Sequence, residues 1–139
     1  MSVETQLFMV NTVKDLNRLM DEATTFLESH GLPEAVLYKA HLVLEEVLTN
    51  IMKYAFDDER THTIGVRVAL RPDELSIEFD DDGRAFDPVF LPPPHLGDSI
   101  EQARIGGLGV HLVRQTVDSM EYHRESSRNI LTTRFKTRP

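Results

Sequence analysis

The chain has 139 residues, of which 40% are hydrophobic and 27% charged: enough apolar material for one core and too much for a disordered chain. Acidic residues outnumber basic ones 23 to 15, and the resulting net charge of −8 disfavours a general phosphate-backbone binder. Cysteine is absent, which excludes disulfide scaffolds, thiolate zinc sites and cysteine nucleophiles. The apolar runs are far shorter than the roughly 20 residues of a membrane span or the roughly 7–15 of a signal sequence. The expectation is one cytoplasmic domain over 1–139.

A short strand is expected over 5–10. Leu16, Leu19, Met20, Ala23, Phe26 and Leu27 then share one face of a helix that Thr12 caps and Gly31 stops. Pro33 opens a second helix, whose stripe of Val36, Ala40, Val43, Val47, Ile51 and Tyr54 runs to about Phe56. After a charged loop over 57–60 the period changes to two. Ile64, Val66, Val68 and Leu70 alternate with other residues, a turn falls at 71–74, and Leu75, Ile77 and Phe79 alternate again as a hairpin partner. Residues 84–105 hold no sustained period and several prolines, as a functional lid does. Glycines at 106, 107 and 109 lead into a helix carrying Val110, Val113 and Val117, and a second hairpin pairs 120–123 with 131–135 around a turn at 126–129. Hairpin-paired strands with about three helices make an α/β two-layer sandwich, with a mixed, mostly antiparallel sheet covered on one face.

Three constellations carry chemistry. Glu46, Asn50 and Lys53 lie four and three apart on the second helix and so form one polar line beside its apolar stripe. A carboxylate and an amide at this spacing suit a hard cation or an oriented nucleophile; the same line also suits a solvated helix edge. Asp80, Asp81 and Asp82 precede Gly83 at the end of a strand, three carboxylates whose mutual repulsion asks for a partner. A calcium loop is excluded, because its twelfth position would be Val89. Gly107 and Gly109 open a helix whose terminal amides attract phosphate, without the Gly-Lys-Ser/Thr of a Walker loop or the strand that precedes a dinucleotide fingerprint. The histidines, His41 and His111 included, have no zinc-site spacing, and Ser126 and Ser127 lie in a turn rather than a nucleophile elbow.

The order of the three constellations is more specific than any one of them. Glu45-Glu-Val-Leu-Thr-Asn-Ile-Met-Lys-Tyr54 resembles the N-box of the GHKL ATPase superfamily, Asp81-Asp-Gly-Arg-Ala85 its G1 box, and Gly107-Leu-Gly109 its G2 box. The resemblance covers about 5–137 and looks closest to the bacterial anti-sigma-factor serine/threonine kinases. It implies a Bergerat-fold site for ATP and Mg2+, with Glu46 as the catalytic base and Asn50 as the metal ligand. Asp81 would accept from the adenine amino group, and Gly83 would leave room for the base. Gly107 and Gly109 would cradle phosphates, with Lys53 or Arg104 to neutralise charge. Ala85, Phe86, Leu108, Val110 and Asn129 would complete the nucleotide site; Ala85 stands where the G1 box has its second glycine, and Asn129 where relatives often place threonine. The implied activity is protein serine/threonine phosphorylation of a small anti-sigma antagonist by a protein that also holds a sigma factor. A homodimer is among the implied assemblies, with no direct nucleic-acid or membrane partner. The alternative is an ATP-responsive interaction module with little or no kinase activity; a histidine-kinase catalytic fragment lacks its phosphoacceptor helix.

Overall fold

The structure, a computed structural model, describes residues 2–85 and 108–138, with Leu108 described by its backbone alone. Its elements in chain order are β1 (Val3–Val10), α1 (Val13–Ser29), α2 (Glu34–Tyr54), β2 (Thr63–Leu70), β3 (Glu74–Asp81), α3 (Leu108–Thr116), β4 (Ser119–Glu125) and β5 (Arg128–Lys136). The order of strands and helices is the one expected from periodicity. Most of the expected lid, together with Phe86, Arg104 and Gly107, lies outside the described residues.

The local signals act as the side chains dictate. Thr12 Oγ1 accepts from Asp15 N at 3.2 Å, while the Asp15 carboxylate accepts from Val10 N at 2.7 Å, so the pair fixes the corner between β1 and α1. Arg18 closes that corner, donating to Asp15 at 2.8 Å and to the Phe8 carbonyl at 2.5 Å. Gly31 takes a φ of 71° just beyond α1, a left-handed turn that a side chain resists. Pro33 stands at the N-cap of α2, and α2 ends at Tyr54, two residues before the expected boundary.

All strand pairs are antiparallel, in the order β1-β2-β3-β5-β4. The described sheet is thus wholly antiparallel rather than mixed. The second hairpin differs in register from the sequence expectation. Ser126 and Ser127 both have positive φ, at 51° and 63°, as a two-residue turn matching strand twist requires, so Arg128 and Asn129 already belong to β5.

Alternation gives the sheet one apolar face. Ile64, Val66 and Val68 of β2, Leu75, Ile77 and Phe79 of β3, and Leu131 and Phe135 of β5 are buried, and they pack with Leu19, Leu27, Val43, Leu44 and Leu48 from α1 and α2. The opposite face carries Arg67, Glu78, Asp80, Arg128 and Arg134, several of them paired, as Arg128 with Asp80 at 2.6 Å. Leu48 is fully buried at the centre of α2, whereas Tyr38 on the same helix is 72% exposed. Leu48→Ala therefore lowers unfolding free energy by about 2–5 kcal/mol in denaturant titrations, while Tyr38→Ala stays within about 0.5 kcal/mol of the parent.

Candidate functional site

The inward row of β3 is Leu75, Ile77, Phe79 and then Asp81, so alternation alone drives a carboxylate to the buried side of the sheet, where it is 4% exposed. Its cross-strand partner is Asn129 of β5, equally buried. Asp81 Oδ1 accepts from Gly83 N at 2.8 Å and from Asn129 Nδ2 at 2.9 Å. No described residue donates to Oδ2. Since every fully enclosed side-chain nitrogen and oxygen among the described residues has a partner, Oδ2 is not fully enclosed. Burial raises the Asp81 pKa, the Asn129 and Gly83 donors oppose that rise, and the neighbouring Asp80 and Asp82 add to it.

Asn129 uses its full bonding capacity. Its amide donates to Asp81 Oδ1 and, at 2.8 Å, to the Arg84 carbonyl; its oxygen accepts from Tyr122 Oη at 2.5 Å and Arg124 Nη1 at 2.8 Å. Arg124 also donates to the Gly83 carbonyl at 3.1 Å. Sequence reasoning placed Asn129 in the nucleotide site but missed Tyr122 and Arg124. Both lie on the row of β4 that faces Leu131 and Asn129, a placement that the alternation through Met120 and Tyr122 would have indicated.

The Asp81 carboxylate lines a cavity walled by Val47, Asn50, Ile51, Val110, Met120 and Tyr122, with room of about 30 Å3, the scale of one water. Asn50 also lines a second small cleft, with Glu46, Thr49, Lys53, Tyr54 and Gly109, so this residue borders both. Glu46 and Asn50 are half-buried and Lys53 is exposed. Among the described residues the Asn50 side chain makes no hydrogen bond. The expected polar line on α2 thus becomes one wall of the site.

The glycines here are dictated by close approach. A Cβ on Gly83 would collide with the Ala55 carbonyl and lie 2.6 Å from Ala55 Cβ, and Arg84 N donates to that same carbonyl at 2.8 Å. Gly83 therefore lets the turn after β3 sit on the end of α2, a need distinct from room for a base. A Cβ on Gly109 would collide with Glu46 Oε2, so the Glu46 carboxylate packs on the first turn of α3. Val110 is buried beside it, and Leu108 begins the helix. Ala85 is free of the strain expected where a glycine is replaced, because positive φ among the described non-glycine residues is confined to Ser126 and Ser127.

His62, which sequence reasoning passed over, fastens the same corner. Its Nε2 lies 2.7 Å from Asp58 and its Nδ1 3.0 Å from Asp82, and its ring stacks on Phe56 at 4.0 Å. Carboxylates only accept, so both contacts favour the doubly protonated imidazolium form of the ring. The hydrogen bond to Asp58, with that to Asp82, raises the His62 pKa above its ordinary 6.5. The folded-state value lies above the unfolded one, so this stabilisation is full below about pH 6.5 and is lost as pH rises through the folded value. Thermal melting of the parent and His62→Gln should differ most in mild acid and converge above the raised pKa.

Residues 9–135 match a family described as the histidine kinase-like ATPase domain. The chain is 28% identical over 98 residues to the serine-protein kinase RsbW of Listeria monocytogenes, an alignment covering 68% of this chain and 62% of the relative. It is 32% identical over 91 residues to the serine/threonine-protein kinase BtrW of Bordetella bronchiseptica, covering 66% and 64%. The histidine kinase AdeS of Acinetobacter baumannii shares the fold, with a TM-score of 0.51 at 11% identity over 96% of this chain and 68% of that one. The chain spans less than two thirds of the length of these curated relatives.

Proposed function

The chain belongs to the histidine kinase-like ATPase domain family, and on that premise we propose that it binds ATP with Mg2+ and phosphorylates a serine or threonine of a partner protein. The relatives named as serine and serine/threonine kinases support this reading. So does one geometric observation: a buried carboxylate with one saturated and one accessible oxygen lies at a cavity that Asn50 joins to a cleft holding Glu46, Lys53 and Gly109.

The donor set suits the nucleotide. Asp81 Oδ2 accepts from an exocyclic amino group, which adenine has and guanine replaces by a carbonyl at that edge. The cavity is narrow, and among its lining side chains the unbranched Met120 is the most adaptable. Asn50 offers an amide oxygen with no partner among the described residues, and Mg2+ characteristically takes one or two protein ligands plus phosphate oxygens and water. Mg2+ held there would supply charge neutralisation to the phosphates. The amides at the start of α3 and the exposed Lys53 add positive potential there, in a protein whose net charge is −8. Glu46, one turn before Asn50, accepts the proton of the incoming hydroxyl. The serine oxygen bonds to the γ-phosphorus as the bridging oxygen leaves with ADP. Within this reading the partners are a sigma factor and a small antagonist carrying the acceptor serine.

A second reading, an ATP-responsive interaction module without efficient transfer, draws on the packing of Glu46 against Gly109, which engages the proposed base with the protein's own backbone. Calorimetric titration with ATP·Mg2+ and a radiolabel transfer assay separate the two. Under the kinase reading Glu46→Gln keeps nucleotide affinity within a few-fold and lowers transfer by about 10²–10⁴-fold. Binding without transfer in the parent selects the second reading, and absence of ATP binding contradicts both.

A further inference from the structure

The Asn129 carboxamide is nearly symmetric in shape, yet its orientation decides what Asp81 can do. With its NH2 toward Asp81 it donates to a carboxylate; turned over, it would set oxygen against oxygen. Two donors hold the oxygen end. Tyr122 Oη and Arg124 Nη1 both point at Asn129 Oδ1, and the same guanidinium nitrogen reaches the Gly83 carbonyl, tying edge strand β4 to the turn that follows Asp81. The NH2 end is equally committed, to Asp81 Oδ1 and the Arg84 carbonyl. With four bonds made, Asn129 has nothing left to offer a ligand.

We propose that Tyr122 and Arg124 are positioning residues for nucleobase specificity: by pinning the Asn129 oxygen they keep its NH2 on Asp81 Oδ1 and leave Oδ2 to read an amino-bearing purine edge. The proposal rests on the adenine-site reading of Asp81 and assigns Asn129 an indirect role, through the carboxylate rather than through the base. The chemistry is differential. An ionised Oδ2 held in place accepts from an exocyclic amino group and repels an exocyclic carbonyl. When the clamp is removed, Asn129 turns or withdraws and Oδ1 loses its side-chain donor. The carboxyl group is then free to rotate or to take up a proton, and a protonated carboxyl donates to a carbonyl. Discrimination between adenine and guanine therefore falls, although Asp81, the group that reads the base edge, has not changed.

The test measures ATP and GTP affinities by calorimetry for the parent, Tyr122→Phe, Arg124→Met and the double variant, with folding of each confirmed by circular dichroism. The parent should prefer ATP by about tenfold or more, the scale of a charged hydrogen bond. The double variant should lose most of that preference through weaker ATP binding without a matching loss of GTP binding. Arg124→Lys, which keeps one donor, should restore part of it, and this milder variant carries the test if the double variant does not fold. Uniform weakening toward both nucleotides, or an unchanged preference, overturns the proposal while leaving the adenine reading intact. A parent that does not discriminate, or that binds neither nucleotide, overturns both.

Discussion

A carboxylate at the end of an apolar row must be supplied with donors, and the way Asp81 obtains them shapes this end of the molecule. The row Leu75, Ile77, Phe79 is buried because the sheet has one covered face, and the next inward position falls to an aspartate. An ionised carboxylate there costs several kcal/mol unless it is hydrogen-bonded. Asn129 arrives opposite it because β3 and β5 pair in register, and Gly83 N arrives because the chain turns immediately after the strand. Both donors approach the same oxygen. The other receives no donor from the described residues, and the adenine-site reading rests on that difference.

The same turn explains why α2 is the second fixed element of the site. Gly83 lies against Ala55 so closely that a methyl group would strike the backbone, and Arg84 donates both from its backbone N–H to the Ala55 carbonyl and from its side chain to the Tyr54 carbonyl at 2.7 Å. His62 adds an ionic fastening from the loop after α2 to Asp82. The end of α2, carrying Asn50 and Lys53, is thus held against the strand that carries Asp81. Glu46, one turn earlier, meets the first turn of α3 at Gly109. Positions distant in sequence are brought together by close approach at two glycines, Gly83 to the Ala55 backbone and Gly109 to the Glu46 side chain.

The fold was legible because its periods are clean: 3.6 in α1 and α2, and two in β2 and β3, where one face is apolar. The site was legible in part. Glu46, Asn50 and Lys53 could be placed together by helical spacing, and Asp81 stood out as one of three adjacent carboxylates. Which of the three is buried follows from counting inward positions from Phe79. The saturation of Asn129 was not legible, because it depends on the two-residue turn at Ser126 and Ser127, which sets the register of β4 on β5 and so brings Tyr122 and Arg124 to its oxygen. Nor was the role of His62, whose partners are four residues before it and twenty after, on separate segments. The contact of Gly83 with the carbonyl of Ala55 was not legible either, because only the packed chain reveals it.

The central claim is that Asp81 Oδ2 accepts a hydrogen bond from the amino group of adenine. A triphosphate of purine riboside, which is ATP without that amino group, tests it most directly in a cycle with Asp81→Ala. The account predicts that the parent binds the analogue about tenfold or more weaker than ATP, the scale of one hydrogen bond to a charged group, and that Asp81→Ala binds the two alike. Equal affinity of the parent for ATP and the analogue, or a difference that survives in Asp81→Ala, would contradict it.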